Sequence, residues 1–255
     1  MHSRRDFVMD SARRISIAAG ALFILGTVTA LAAPVLEPAL TGRNYLTGIA
    51  SHSGQMAAAA LIYLIAAGAS VGIAIALYPV LKKVGAGLAV GSVVFRTIEA
   101  VMYTVAVLNL LSVRSLARQL ATAPSADRTS IRVLAGSLLS ARDHATLAGV
   151  FAYSLGALMY YVLFYRSRLV PRWLSGWGVA GLLLIMTACL LALFSDRPVT
   201  GYTLLILPIA IQEMVLAGWL LIKGFRPLRP DGLPGLRHSL VPSEDECILD
   251  PARDL

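Results

Sequence analysis

Three ionisable residues stand inside long apolar stretches of this 255-residue chain. Arg96 and Glu99 share the apolar run at about 86–111, and Glu213 lies in the run at 202–222. An ionised side chain facing hydrocarbon costs about 2.5 kcal/mol or more, so all three are expected to face the protein interior and to have partners there. Arg96 and Glu99 are three residues apart and therefore lie on one face of a helix.

Two kinds of chemistry suit this group. An arginine fork can hold the carboxylate of Glu99 or of Glu213, in a charge pair or triad that fixes the register between the helices at 86–111 and 202–222. Alternatively, one of the two carboxylates titrates or binds a ligand in a cavity, as acids inside membranes do in ion and substrate pathways. With the neighbouring polar residues, the candidate ligand-binding set is Arg96, Glu99, Tyr103, Gln212 and Glu213.

A second polar group surrounds the consecutive residues Arg142, Asp143 and His144, with His52 and Glu37 in another predicted loop. A metal or acid–base site needs several ligands that converge. Adjacent helical residues diverge by about 100°, so we expect no metal here and predict instead that Asp143 lies at the start of a helix. The chain contains neither GxSxG nor HExxH, so no catalytic residue and no cofactor is predicted, and an enzyme is the least favoured class.

The elements that must position these residues are six apolar runs. Hydrophobic residues make up 57% of the chain and charged residues 14%, against roughly 25% charged in soluble proteins. A helix needs about 20 apolar residues to cross roughly 30 Å of hydrocarbon. We therefore predict an all-α, polytopic membrane protein with six transmembrane helices, at about 15–36, 56–80, 86–111, 145–165, 173–194 and 202–222.

Basic residues predict the orientation, because lysine and arginine accumulate in cytoplasmic loops. On the side of the N-terminus are Arg4, Arg5, Arg13, Arg14, Lys82, Lys83, Arg166, Arg168, Arg172, Lys223, Arg226 and Arg229. On the other side are Arg43, Arg114, Arg118, Arg128, Arg132, Arg142 and Arg197. The imbalance predicts that both termini are cytoplasmic, with the protein in the inner (plasma) membrane.

The net charge of +8 follows the same pattern. The basic residues flank apolar runs instead of covering a soluble domain, so the expected partner is the lipid bilayer and not nucleic acid. Basic and tryptophan residues together at a helix end are typical of interfacial anchors. Predicted interfacial lipid contacts are Arg166, Arg168, Arg172, Trp173 and Trp177. A protein partner or a homo-oligomer is left open.

Three segments follow from composition: a cytoplasmic basic arm at 1–14, the membrane domain at 15–223, and a Pro- and Gly-rich cytoplasmic tail at 224–255 that is expected to be disordered. Within the loop at 112–144, an apolar stripe at helical spacing predicts an extracytoplasmic amphipathic helix between helices three and four. The arm also resembles a twin-arginine export motif, but the first apolar run is longer than a signal segment, so we expect it to be retained. Glycine pairs at 68 and 72, and at 149 and 156, predict close helix packing.

Several stretches together resemble a family of bacterial multi-pass membrane proteins named domain of unknown function 4386. They are IALYPVLKK at 75–83, FRTIEAV at 95–101, LLSARD at 138–143, YRSRLVPRWLSGWG at 165–178 and LPIAIQEMVLAGWLLIKGF at 207–225. The resemblance covers roughly residues 12–226, and Gln212 departs from it by replacing an asparagine. It implies a multi-pass bacterial membrane protein and no assigned activity.

Two functional hypotheses from different classes follow. The first is a protein that binds or transports a small molecule or ion through a polar site near the membrane midplane. The second is a non-catalytic scaffold or partner subunit, in which the buried charges only fix helix packing. A polar cavity lined by Arg96 and Glu213 favours the first hypothesis, whereas charges sealed in dry packing favour the second.

Overall fold

The computed structural model describes residues 2–42, 44–195 and 197–227, with side chains from residue 11 onward. Six helices in this part of the chain are long and apolar enough to cross a membrane, which confirms the predicted multi-pass, all-α fold. The α-helices are α1 (His2–Leu36), α2 (Tyr45–Ser51), α3 (Ser53–Leu81), α4 (Ala86–Thr122), α5 (Arg128–Ser167), α6 (Arg172–Ser195) and α7 (Thr203–Ile222). Short α2 does not span, and a 3-10 turn at Val199–Tyr202 precedes α7.

The six spanning helices form a closed ring. Each packs against the next in the order α1, α3, α4, α5, α6 and α7, and α7 returns to α1. The Arg13 guanidinium donates a hydrogen bond to the carbonyl oxygen of Leu221 at 2.7 Å, which ties the start of α1 to the end of α7. Both helix ends therefore lie at one end of the bundle, which we call the N-terminal end. That this end is cytoplasmic remains a prediction from the basic residues.

Helices α4 and α5 are longer than a bilayer requires. With 37 and 40 residues they extend about 55 and 60 Å, against roughly 30 Å of hydrocarbon. Their excess length forms a helical hairpin at the end of the bundle opposite the N-terminal end. Beside it, α2 packs against α4 in a second apolar core, whose buried members are Leu46, Ile49, Met56, Leu110, Val113, Ala117, Leu120 and Ala135.

Two predictions from the sequence are wrong in this hairpin. The apolar stripe at 131–139 is helical, but it belongs to α5 and not to a separate amphipathic helix. Asp143 consequently lies in the middle of α5, whose N-cap is Asp127. The physical reason is that no proline interrupts Arg128–Ser167, and Ala135 packs into the second core, so the helix continues through the polar residues that suggested a break.

An aromatic cluster fills the ring near the N-terminal end. Its members are Phe23, Tyr160, Tyr161, Phe164 and Phe225. The first four side chains are completely buried, and their ring centroids lie 4.6–6.3 Å apart. Phe225 packs in this cluster, and the backbone N–H of Arg226 donates to the carbonyl oxygen of Leu169, so the packed region extends beyond the predicted limit at 223. Residues 228–255 of the predicted tail lie outside the described residues.

Glycines allow close contact between α4 and α5. A Cβ atom at Gly156 would lie 3.1 Å from Cγ of Arg96, and one at Gly149 would lie 3.0 Å from the ring of Tyr103. The predicted role of these two glycines is therefore confirmed. Gly72 packs similarly against α1, but no atom lies within 4 Å of the corresponding position at Gly68, so the prediction for that residue is wrong.

Candidate functional site

Arg96 and Glu99 form a buried ion pair on α4. Nη1 of Arg96 lies 3.1 Å from Oε2 of Glu99, and the two residues are 2% and 3% exposed. Ser70 of α3 donates a hydrogen bond to the same carboxylate oxygen at 2.5 Å. Of the two pairings that the sequence left open, the structure contains the one between Arg96 and Glu99.

Glu213 reaches the same region from α7, but its partners are neutral. Thr27 of α1 donates to Oε2 at 2.8 Å, and the hydroxyl of Tyr153 on α5 donates to Oε1 at 2.7 Å. Among the described residues, no cationic nitrogen lies within 4.0 Å of this carboxylate. The ring of Tyr153 lies 4.7 Å from the Arg96 guanidinium, so this tyrosine connects the two charged groups.

These charged groups line a cavity inside the ring, which we call the inner cavity. Its volume is about 150 Å³, and its polar lining consists of Thr27, Ser70, Arg96, Glu99, Tyr103, Tyr153 and Glu213. The remaining wall is apolar, with Ile73, Ile185 and Ile209 among its members. The three charged residues are buried, and each of them borders this internal space.

A second cavity of about 180 Å³, the outer cavity, adjoins the inner one. Six residues line both cavities: Ala30, Leu31, Ala66, Tyr103, Val150 and Ile206. Tyr103 is the aromatic residue among these six, and it lies where the two spaces adjoin. Leu31, which lines both cavities, is 51% exposed, so the cavities approach the surface of the bundle at this point of α1.

A second ion pair lies beside the outer cavity. Nη2 of Arg142 donates to both carboxylate oxygens of Glu37, at 2.7 and 2.8 Å, and Nη1 donates to Asp143 at 3.3 Å. Burial raises the pKa of the Glu37 carboxyl, and the Arg142 charge opposes that shift. The pair joins the loop after α1 to the middle of α5.

The other members of this polar group lie elsewhere. Nδ1 of His52 is 3.0 Å from the carbonyl oxygen of Gly48, within its own turn. In the described ranges, no three His, Cys, Asp or Glu residues are grouped so as to hold a metal ion. His52, Asp143 and His144 therefore do not form the ligand set that the sequence left as an alternative.

Gln212 does not line either cavity, although the sequence placed it in the candidate set. Its Nε2 donates to the carbonyl oxygen of Leu174 at 2.9 Å, and its Oε1 accepts a hydrogen bond from Tyr161 at 2.5 Å. Gln212 thereby links α5, α6 and α7, and its contacts are structural. By contrast, sequence reasoning missed Thr27, Ser70 and Tyr153, because an isolated hydroxyl in an apolar run carries no signal of which neighbour it faces.

The predicted lipid-contact residues lie around the start of α6, at the N-terminal end. The rings of Trp173 and Trp177 stack with centroids 6.5 Å apart, and Trp173 is 58% exposed. The Arg172 guanidinium lies 5.2 Å from the ring of Tyr165. These positions suit the interfacial anchor expected of them together with Arg166 and Arg168, and their contact with lipid stays a prediction.

Comparison with known protein families matches residues 18–224 to a family described as "Domain of unknown function (DUF4386)". This confirms the resemblance carried by the five sequence stretches. No curated protein and no solved structure matches the chain.

Proposed function

We propose that this chain, which belongs to the family described as "Domain of unknown function (DUF4386)", binds a small molecule or ion in the inner cavity. The family supplies no activity, so the proposal rests on the site. The observation that carries it is that Arg96, Glu99 and Glu213 line internal space. Charges kept only for packing have no need of a cavity, whereas a binding site does.

The position of the cavities supports access from one end. The aromatic cluster closes the ring near the N-terminal end, while the outer cavity lies on the opposite side of the charged group. With the N-terminal end in the cytoplasm of the inner (plasma) membrane, as the basic residues predict, the site is open toward the extracytoplasmic side. Transport across the membrane would then require the aromatic cluster to separate.

The scaffold hypothesis has one observation of its own. On the hairpin formed by α4 and α5, Val133 is 66% exposed and Leu134 is 51% exposed. Adjacent apolar side chains on a projecting helix favour contact with a partner chain or with the membrane surface. This alternative predicts that a partner is recovered through the hairpin and that the cavity is inaccessible.

Cysteine labelling tests whether the inner cavity is accessible. Cys189→Ala and Cys247→Ser remove both native thiols. In that background we expect Ala66→Cys, on the wall shared by the two cavities, to react with 2-aminoethyl methanethiosulfonate in membranes. Labelling is measured by mass spectrometry of the purified protein.

The matched control is Ala67→Cys, because Ala67 is also buried on α3 but lines neither cavity. The proposal requires Ala66→Cys to react many-fold faster than Ala67→Cys. Equal and negligible rates at both positions would show a closed interior and would favour the scaffold hypothesis.

A further inference from the structure

The charges around the inner cavity do not balance. Arg96 is the cation among the lining residues, and its Nη1 atom is paired with Oε2 of Glu99 at 3.1 Å. Glu213 has hydroxyl partners instead, from Thr27 and Tyr153. Among the residues that line the cavity, carboxylates therefore exceed cations by one when Glu99 and Glu213 are both ionised. A bound positive charge beside Glu213 would restore neutrality in a place where an uncompensated charge is costly.

The surroundings of Glu213 do not suit a bare metal cation. Magnesium and calcium ions take about six or more oxygen ligands. Thr27, Tyr153 and Glu213 supply oxygens, but the neighbouring wall consists of Ala30, Ile206, Ile209 and Ala210. In the described residues, no three His, Cys, Asp or Glu side chains are grouped so as to hold a metal ion. An organic ammonium group has three N–H donors and therefore needs fewer hydrogen-bond acceptors.

The outer cavity is suited to an apolar chain. Much of its wall is formed by aliphatic side chains, including Leu31, Ala106, Val107, Leu110 and Ile206. It adjoins the inner cavity past Tyr103 and approaches the surface of the bundle at Leu31. A molecule with a charged head and an apolar tail can therefore enter from the membrane and place its head near Glu213.

We propose that the inner cavity binds an amphipathic organic cation, with a protonated amine against the Glu213 carboxylate and an apolar tail in the outer cavity. This inference rests on the proposed function and adds the chemical class of the ligand. Glu213 is the anionic contact, Tyr153 and Thr27 orient its carboxylate, and Arg96 remains paired with Glu99.

The test uses three probes of equal chain length: n-hexylammonium, 1-hexanol and hexanoate. Each is added to the purified full-length protein in mild detergent, and the melting temperature is followed by tryptophan fluorescence. We expect hexylammonium to raise Tm by about 2–4 °C, because a ligand that binds only the folded state stabilises it. Hexanol and hexanoate should leave Tm unchanged or lower it. This comparison needs no variant, so it holds whatever substitutions do to folding.

Glu213→Gln should abolish the rise in Tm and lower the affinity for radiolabelled hexylammonium, measured by equilibrium dialysis, at least about tenfold. Asp127→Asn is the control, because it removes a carboxylate at the turn before α5, away from both cavities. Equal stabilisation by hexanoate, or undiminished binding to Glu213→Gln, would overturn the inference. If the Ala66→Cys variant is labelled but hexylammonium does not bind, only the proposed ligand class is wrong. If the Ala66→Cys variant is also unreactive, the proposed function is wrong as well.

Discussion

Arg96→Ala is expected to lower the free energy of unfolding by about 3–5 kcal/mol, the usual loss when one partner of a buried ion pair is removed. The substitution leaves Glu99 buried at 3% exposure, with Ser70 as its remaining hydrogen-bond donor. Unfolding is measured by titrating the purified protein from mild detergent into SDS micelles. Thr97→Ala, at an exposed position next to Arg96 on α4, is the control and should have little effect.

A double-mutant cycle identifies the partner. Glu99→Gln combined with Arg96→Ala should cost less than the two single substitutions added together, with a coupling of about 0.5–3 kcal/mol, because the two residues are in contact. The cycle of Arg96→Ala with Glu213→Gln should show a smaller coupling, since these residues meet only through Tyr153. A larger coupling with Glu213 would contradict the pairing seen in the structure.

Gly178→Ala should destabilise the protein by about 1–3 kcal/mol or more, the cost of overpacking a well-packed core. A Cβ atom at this position would lie 2.5 Å from Cε1 of Tyr161, whose ring is completely buried in the aromatic cluster. The Tyr161 hydroxyl is also held by Gln212, so the ring cannot move aside without losing that hydrogen bond. The melting temperature in mild detergent measures the effect.

Gly176→Ala is the matched control, two residues earlier on the same helix. No atom lies within 4 Å of the added Cβ there, and alanine favours a helix over glycine by roughly 1 kcal/mol, so this variant should be as stable as the natural protein or more stable. If both variants behave alike, the aromatic cluster is looser than the structure shows and is a weaker barrier at the N-terminal end.

The ion pair of Arg96 and Glu99 and the aromatic cluster serve the proposed function in different parts of the ring. The ion pair of Arg96 and Glu99 gives a rigid, internally neutral wall beside the inner cavity, which leaves Glu213 as the carboxylate available to a ligand. The aromatic cluster near the N-terminal end limits the depth of that cavity. A binding protein needs both features to persist, whereas a transporter must open the second one during its cycle.

The number of spans and the interior position of Arg96, Glu99 and Glu213 could both be predicted from the amino-acid sequence. Both follow from the cost of hydrocarbon: a crossing helix must be apolar over about 20 residues, and a charge within it must turn away from lipid. Those constraints act on each helix separately, so they can be read without knowing which helices are neighbours.

The partners of these buried side chains could not be predicted from the sequence. Whether Arg96 meets Glu99 or Glu213, and whether Gln212 faces the cavity or Tyr161, depends on the order of helices in the ring and on the rotation of each about its axis. The continuation of α5 through Asp143 likewise depends on packing against α4 and on Ala135 in the second core, which stabilise a helix that its polar residues alone would not. Arg96 and Glu99 are neighbours on one helix, but the position of Glu213, the contacts of Gln212 and the length of α5 depend on contacts between distant segments, and local patterns carry no record of those contacts.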